Sequence, residues 1–189
     1  MEIFRTFDEQ YQGVYLARFV NCPFYNTPQD YETELDKIQD QLQDSFYVRN
    51  FIKSPQSGWK RGDFKNEPLT FLATQVLEEA GDLFDQLDEL TENSKNGDCF
   101  ELLFDEFKEL SNPERYDDPG RRKMYTYEFK SLLRLYGIRV GNNAIILTGF
   151  GIKLVGKMKD SDALQQELDK MDYLKNWLEQ ENITDCTEF

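Results

Sequence analysis

Arginine and lysine crowd one part of an otherwise acidic chain. Between Pro119 and Lys159 stand Arg121, Arg122, Lys123, Lys130, Arg134, Arg139, Lys153, Lys157 and Lys159 against Glu128 alone, a local charge of +8 in a chain of 189 residues and net charge −14. The remainder therefore carries −22. Cations at this density bind phosphate: they displace the counterions of a polyanion, and arginine adds a planar fork matched to phosphate oxygens. The average charge argues against such a partner, but it hides the basic segment. Histidine is absent from the chain. That removes Ser-His and Cys-His nucleophiles, His-ligated zinc and every histidine acid–base scheme. Cys22, Cys99 and Cys186 are odd in number, far apart and without CxxC spacing, so they read as reduced thiols. A carboxylate-held metal at Asp117, Asp118 and Glu128 is the one hydrolytic alternative, and no ligand spacing marks it. No metal and no cofactor are expected.

The elements that carry these cations are strands. Leu132 to Val140 alternates, Gly141-Asn142 supplies a tight turn, and Asn143 to Val155 returns, which predicts a β-hairpin. The returning strand is apolar on both faces through Ile145, Ile146 and Leu147, as in a central strand. Simple alternation places Arg134 and Tyr136 opposite Leu133 and Leu135 and leaves Arg139 on the apolar side. A bulge at Gly137 would shift the alternation, so that Arg134, Tyr136 and Arg139 share one face. Gly149 and Gly151, beside Phe150, allow either a close ligand or strong curvature. After Lys157 and Lys159, Asp160-Ser161-Asp162 starts a last helix with Leu164, Leu168, Met171, Leu174 and Leu178 on one stripe.

Upstream, EIFRTF and GVYLARFV around Gly13 predict an N-terminal hairpin. Thr27-Pro28-Gln29-Asp30 reads as a helix start, with Tyr31, Leu35, Ile38, Leu42 and Phe46 on the apolar stripe, a break near Ser45, and continuation toward Ile52. Residues 54 to 65 are loop, with Trp59 packing over the core edge. A helix from Asn66 buries Leu72, Val76, Leu83 and Leu87 and turns Glu67, Glu78, Glu79, Asp82, Asp85, Asp88, Glu89 and Glu92 to solvent. Asp98 and Glu101 suggest a further helix through Phe100, Phe104, Phe107 and Leu110.

The order Arg134-Leu-Tyr-Gly-Ile-Arg139-Val, turn, Ala144-Ile-Ile-Leu-Thr-Gly-Phe150-Gly-Ile-Lys153, basic loop and amphipathic helix resembles the C-terminal half of the RelE/ParE toxin superfamily, nearest its HigB-like branch. Residues 128 to 182 carry the resemblance. It implies an α+β fold, a small antiparallel sheet with a C-terminal hairpin plus helix, preceded here by an acidic helical half. It also implies a toxin endoribonuclease that cuts messenger RNA by 2′-hydroxyl attack, partnered by a helix-turn-helix antitoxin. By position, Arg134, Arg139 and Lys153 would stabilise transition-state charge and Tyr136 would stack on or hydrogen-bond the RNA. Lys157 and Lys159 would contact phosphate, with Arg121, Arg122 and Lys123 extending the RNA-binding surface. Such chemistry needs positioning and electrostatic stabilisation rather than histidine or metal. The chain departs from the family in length, in acidity, and in carrying Thr148 where an H-G-F motif has its histidine.

Length fits one domain over residues 1–189, with a hairpin and acidic helices over 1–118 and the basic hairpin and last helix over 119–189. No apolar run reaches the 18 or so residues of a membrane span, and the N-terminus lacks a signal-peptide pattern, so the expectation is cytoplasmic with no membrane partner. Two other readings stand beside the nuclease: cations that merely neutralise the acidic helix at 66–94, and a catalytically inactive RelE-fold module that binds protein.

Overall fold

The computed structural model describes residues 1–5, 13–94, 107–110, 120–126, 131–141 and 144–184. Strands β1 (Glu2–Arg5) and β2 (Val14–Arg18) form the expected N-terminal antiparallel hairpin. Helices α1 (Glu34–Gln43), α2 (Ser45–Lys53) and α3 (Leu69–Ser94) follow. The chain then forms β3 (Lys108–Glu109), β4 (Arg121–Met124), β5 (Leu133–Val140) and β6 (Ala144–Ile152), and closes with α4 (Asp162–Gln180). The class is α+β.

The six strands lie in the order β1-β2-β6-β5-β4-β3. All neighbours are antiparallel except β2 and β6, which run parallel with Val14 opposite Ile145. The wholly antiparallel sheet expected from sequence is thus a mixed one. The cause is chain path: α1 to α3 intervene between β2 and the later strands, and a crossover of that length permits parallel pairing. All nine residues of β6 are buried, as its two apolar faces require at the centre of a sheet.

The sheet has an apolar layer on each face. On one, Val14, Leu133, Leu135, Ile145, Leu147 and Ile152 share a core with Leu35, Ile38, Ile52, Leu72 and Val76 of α1 to α3. On the other, Tyr15, Tyr136, Ile138 and Ile146 pack with Leu164, Met171, Leu174 and Leu178 of α4. Each such fully buried aliphatic side chain stabilises the fold by about 1.5–3 kcal/mol. Trp59 is buried at the first core, its indole N–H donating to the Phe64 carbonyl at 2.7 Å. The stripe of the last helix is as expected, and Ser161 caps it by accepting from the Leu164 N–H at 3.4 Å.

A buried polar network joins α1 to α4. Lys170 donates to Glu34 at 2.9 Å and to Glu167 at 3.0 Å, while Lys37 donates to Glu34 at 3.0 Å. The Tyr25 and Thr27 hydroxyls donate to the other Glu34 oxygen at 2.8 and 2.6 Å. Gly149 accommodates this network, because a Cβ there would collide with Glu167 and Lys170, and Gly151 makes room for Leu164. The two glycines admit neither ligand nor curvature alone; they admit α4.

Several local expectations change. The first helix begins at Glu34, not near Pro28. Thr33 is its N-cap, reciprocally bonded with Asp36 in a capping box, whereas Thr27 is occupied by the Phe19 N–H and Glu34. The break at Ser45 is present and Asp44 caps the second helix, but Phe46 is 72% exposed because the new helix starts a new stripe. The acidic helix begins at Leu69, and its Glu79 is buried. In place of a helix continuing through Leu110, Lys108–Glu109 is an edge strand on β4; the rest of that expected helix, residues 98–106, lies outside the described residues.

The sheet irregularity lies between Tyr136 and Gly137, where the partner of Gly137 is Leu147 and that of Tyr136 is Gly149. The extra residue is therefore Thr148 on β6, and β5 itself alternates without interruption. Arg139 stays on the face of Leu133 and Leu135, opposite Arg134 and Tyr136. Gly137 answers a different need, since a Cβ there would press on the Ile146 carbonyl at 2.8 Å.

Candidate anion-binding site

Four cations gather where β3, β4, β5 and the segment after β6 come together, two of them over one aromatic ring. Lys123 on β4 lies opposite Lys108 on β3 and Tyr136 on β5. Two residues on, Tyr125 receives the Arg134 guanidinium at 4.5 Å from its ring centroid and the Lys108 ammonium at 5.4 Å. Lys153 follows β6 and its backbone N–H bonds the Leu132 carbonyl at 2.7 Å, one residue before β5 begins. Lys108 is exposed; Lys123, Tyr125, Arg134 and Lys153 are half-buried.

The electrostatics record this crowding. Burial pushes the Lys123 ammonium below its ordinary value, and Arg134, Lys153 and Lys108 push it further. Burial and then Arg134 lower Lys153, with Asp63 opposing. Arg134 is lowered by burial and held up by Tyr136, Glu79 and Tyr125. Cations that lower one another in this way gain on meeting an anion, which relieves the repulsion.

The remaining candidates are placed elsewhere. Tyr136 is 1% exposed in the core under α4, against Gly151, and burial raises its phenol. Arg139 donates through Nε to the Gly141 carbonyl at 3.0 Å on the opposite face, five strand residues or roughly 16 Å from Arg134. Arg121 is buried and ion-paired with Asp172 of α4. Arg122 is buried, its Nη1 donating to the Arg121 carbonyl at 3.4 Å. Lys157 and Lys159 are exposed beyond β6. Of the sequence candidates, then, Lys123, Arg134 and Lys153 come together.

Lys108 and Tyr125 are additions. Tyr125 was signalled by strand alternation, since Lys123 and Tyr125 stand two apart. Lys108 was not, because it lay within a helical pattern. Asp117, Asp118, Glu128 and Lys130 lie outside the described residues, and among the described residues no three His, Cys, Asp or Glu side chains are grouped to hold a metal. No helix among them is long and apolar enough to cross a membrane. Compared with protein-family models, curated proteins and solved structures, the chain matches none.

Proposed function

We propose that the chain is an RNA-cleaving protein of the RelE/ParE kind, working without metal by attack of the RNA 2′-hydroxyl on the adjacent phosphorus, with the Lys108–Lys123–Arg134–Lys153 cluster as its phosphate site. The observation that carries this reading is the mutual proximity of four cations brought together from three strands and the segment after β6, two of which, Arg134 and Lys108, lie over the Tyr125 ring. Arg134 supplies fixed positive charge to the phosphorane. Lys123, already displaced toward its neutral form, is the group suited to exchange a proton with the 2′-hydroxyl or leaving oxygen. Tyr125 offers an aromatic face beside the phosphate position. The partners of such a protein are messenger RNA and an antitoxin that covers the cations.

The test is cleavage of end-labelled single-stranded RNA, free and in a translating extract, with excess EDTA. Wild type should cut and leave a cyclic phosphate, a 2′-deoxy substitution at the cut should abolish cutting, and Arg134→Ala should slow it about 100-fold, the loss typical of one oxyanion-stabilising group. Cutting that needs a divalent ion, or that survives 2′-deoxy substitution, sinks the mechanism. A second reading is favoured by the burial of Tyr136 and Thr148, which leaves the family's usual catalytic positions inside the core. On that reading the cluster binds a polyanion without cutting it, and binding lost in Arg134→Ala with no cleavage in either medium would select it.

A further inference from the structure

Glu79 is an acid where none was needed for packing. It sits on α3 beside exposed Glu78 and Asp82, yet is 2% exposed. A carboxylate leaving water must find donors, and this one finds four. The Leu132 N–H approaches both oxygens at 2.9 and 2.7 Å, the Leu133 N–H and the Ser131 hydroxyl reach Oε2 at 2.7 and 2.8 Å, and Gln75 reaches Oε1 at 2.8 Å. Three of these donors belong to the residues immediately before Arg134.

Charge-assisted bonds to consecutive peptide groups fix the planes of both peptides. The next side chain, Arg134, emerges on the opposite face of the sheet, where it donates to the Leu133 carbonyl at 2.9 Å and lies over Tyr125. We propose that Glu79 is the positioning residue of the cation cluster: by holding the Leu132 and Leu133 N–H groups it sets the direction in which Arg134 leaves β5, and so links the acidic helix to phosphate binding across the sheet. This rests on the reading of the cluster as an RNA phosphate site. Glu79 touches no substrate. Its charge lies behind the strand, where it favours the guanidinium without competing for the donors that face outward.

A double-mutant cycle separates positioning from mere support. Affinity for fluorescein-labelled oligouridylate would be measured for wild type, Glu79→Gln, Arg134→Ala and the double variant. Glu79→Gln should weaken binding about tenfold, the size of one charge-assisted hydrogen bond, and should add less than about twofold once Arg134 is gone. An equal loss in both backgrounds, or none in either, overturns the proposal. If Glu79→Gln does not fold, Ser131→Ala replaces it in the same cycle, with an expected loss of about threefold confined to the Arg134 background. Should Arg134→Ala bind as wild type does, the phosphate-site reading falls, and Glu79 is judged by the NMR signal of the Arg134 Nε–H group: a shift in Glu79→Gln sustains positioning, and an unmoved signal overturns it.

Discussion

A lysine placed among other cations gives up its proton more readily than one in water, because each neighbouring charge disfavours the ammonium. Lys123 is such a lysine, lowered first by burial and then by Arg134, Lys153 and Lys108. If it exchanges a proton in the proposed cleavage, charge and proton transfer can be separated by chemistry. Lys123→Arg keeps the charge but carries a guanidinium that does not deprotonate in proteins. It should bind RNA within about twofold of wild type while cleaving about 100-fold more slowly, within the range of lost general acid–base catalysis. Equal cleavage by Lys123→Arg would show that Lys123 acts by charge alone. Arg134→Ala removes the second cause of the Lys123 shift, and should therefore raise the Lys123 midpoint in a side-chain NMR titration.

Helix α4 is held on the sheet by apolar packing and by the Glu34–Lys37–Lys170–Glu167 network, and its two acids respond oppositely to pH. Burial pushes Glu34 up, but Lys170 and Lys37 outweigh it and hold the carboxyl below its ordinary value. Its contribution is present above the unfolded pKa and lost as pH falls through the folded one. Glu167 is raised by burial despite the same lysines. Its folded form takes up a proton more readily than the unfolded chain, so it supports the fold at acid pH and loses that support as pH rises above the unfolded value of about 4.3. Glu34→Gln should thus destabilise by about 3–5 kcal/mol at neutral pH, the effect of stripping one partner from a buried ion pair. Glu167→Gln should be milder, and its stability relative to wild type should improve as pH rises. Urea unfolding at a series of pH values checks both, and parallel pH curves for wild type and Glu167→Gln would refute the assignment.

The same elements explain what sequence could disclose. The β5–β6 hairpin and α4 are legible because β5 alternates with a period of 2, β6 is a short continuous apolar run after a tight turn, and α4 keeps a period of 3.6, each decided by its own residues. Strand β3 is not. Two residues carry no period, and Lys108–Glu109 becomes a strand only because β4 offers an edge. The irregularity was placed at Gly137, the permissive residue, whereas the inserted residue is Thr148 on the partner strand. Helix α1 starts at Thr33 because its capping box with Asp36 closes locally, while the rival Thr27 is claimed by Glu34 and Phe19, a contact visible only after folding. Glu79 was hidden by its exposed acidic neighbours.

At the scale of the molecule, a net charge of −14 opposes any polyanion while a local cluster attracts it, and distance decides between them. Exposed acids more than about 8 Å from the cluster are screened at physiological salt, so the site is governed by its own four cations and by Asp63, which acts on Lys153. The acidic face of α3, with Glu78, Asp82, Asp85 and Glu89 exposed, lies on the layer opposite the side chain of Arg134. It weakens long-range attraction at low salt without covering the site. Single-stranded nucleic acid should then bind with a slope of log affinity against log salt near −2.8, about −0.7 for each of four neutralised phosphates. Lys108→Ala and Lys153→Ala should each flatten that slope by about 0.7. Arg139→Ala, on the other face, should leave it unchanged. At the lowest salt, affinity should fall below the extrapolated line, because unscreened acids then reach the ligand. A straight line down to low salt would place the acids out of electrostatic range, and a slope flattened by Arg139→Ala would move the RNA onto the face that α1 to α3 cover.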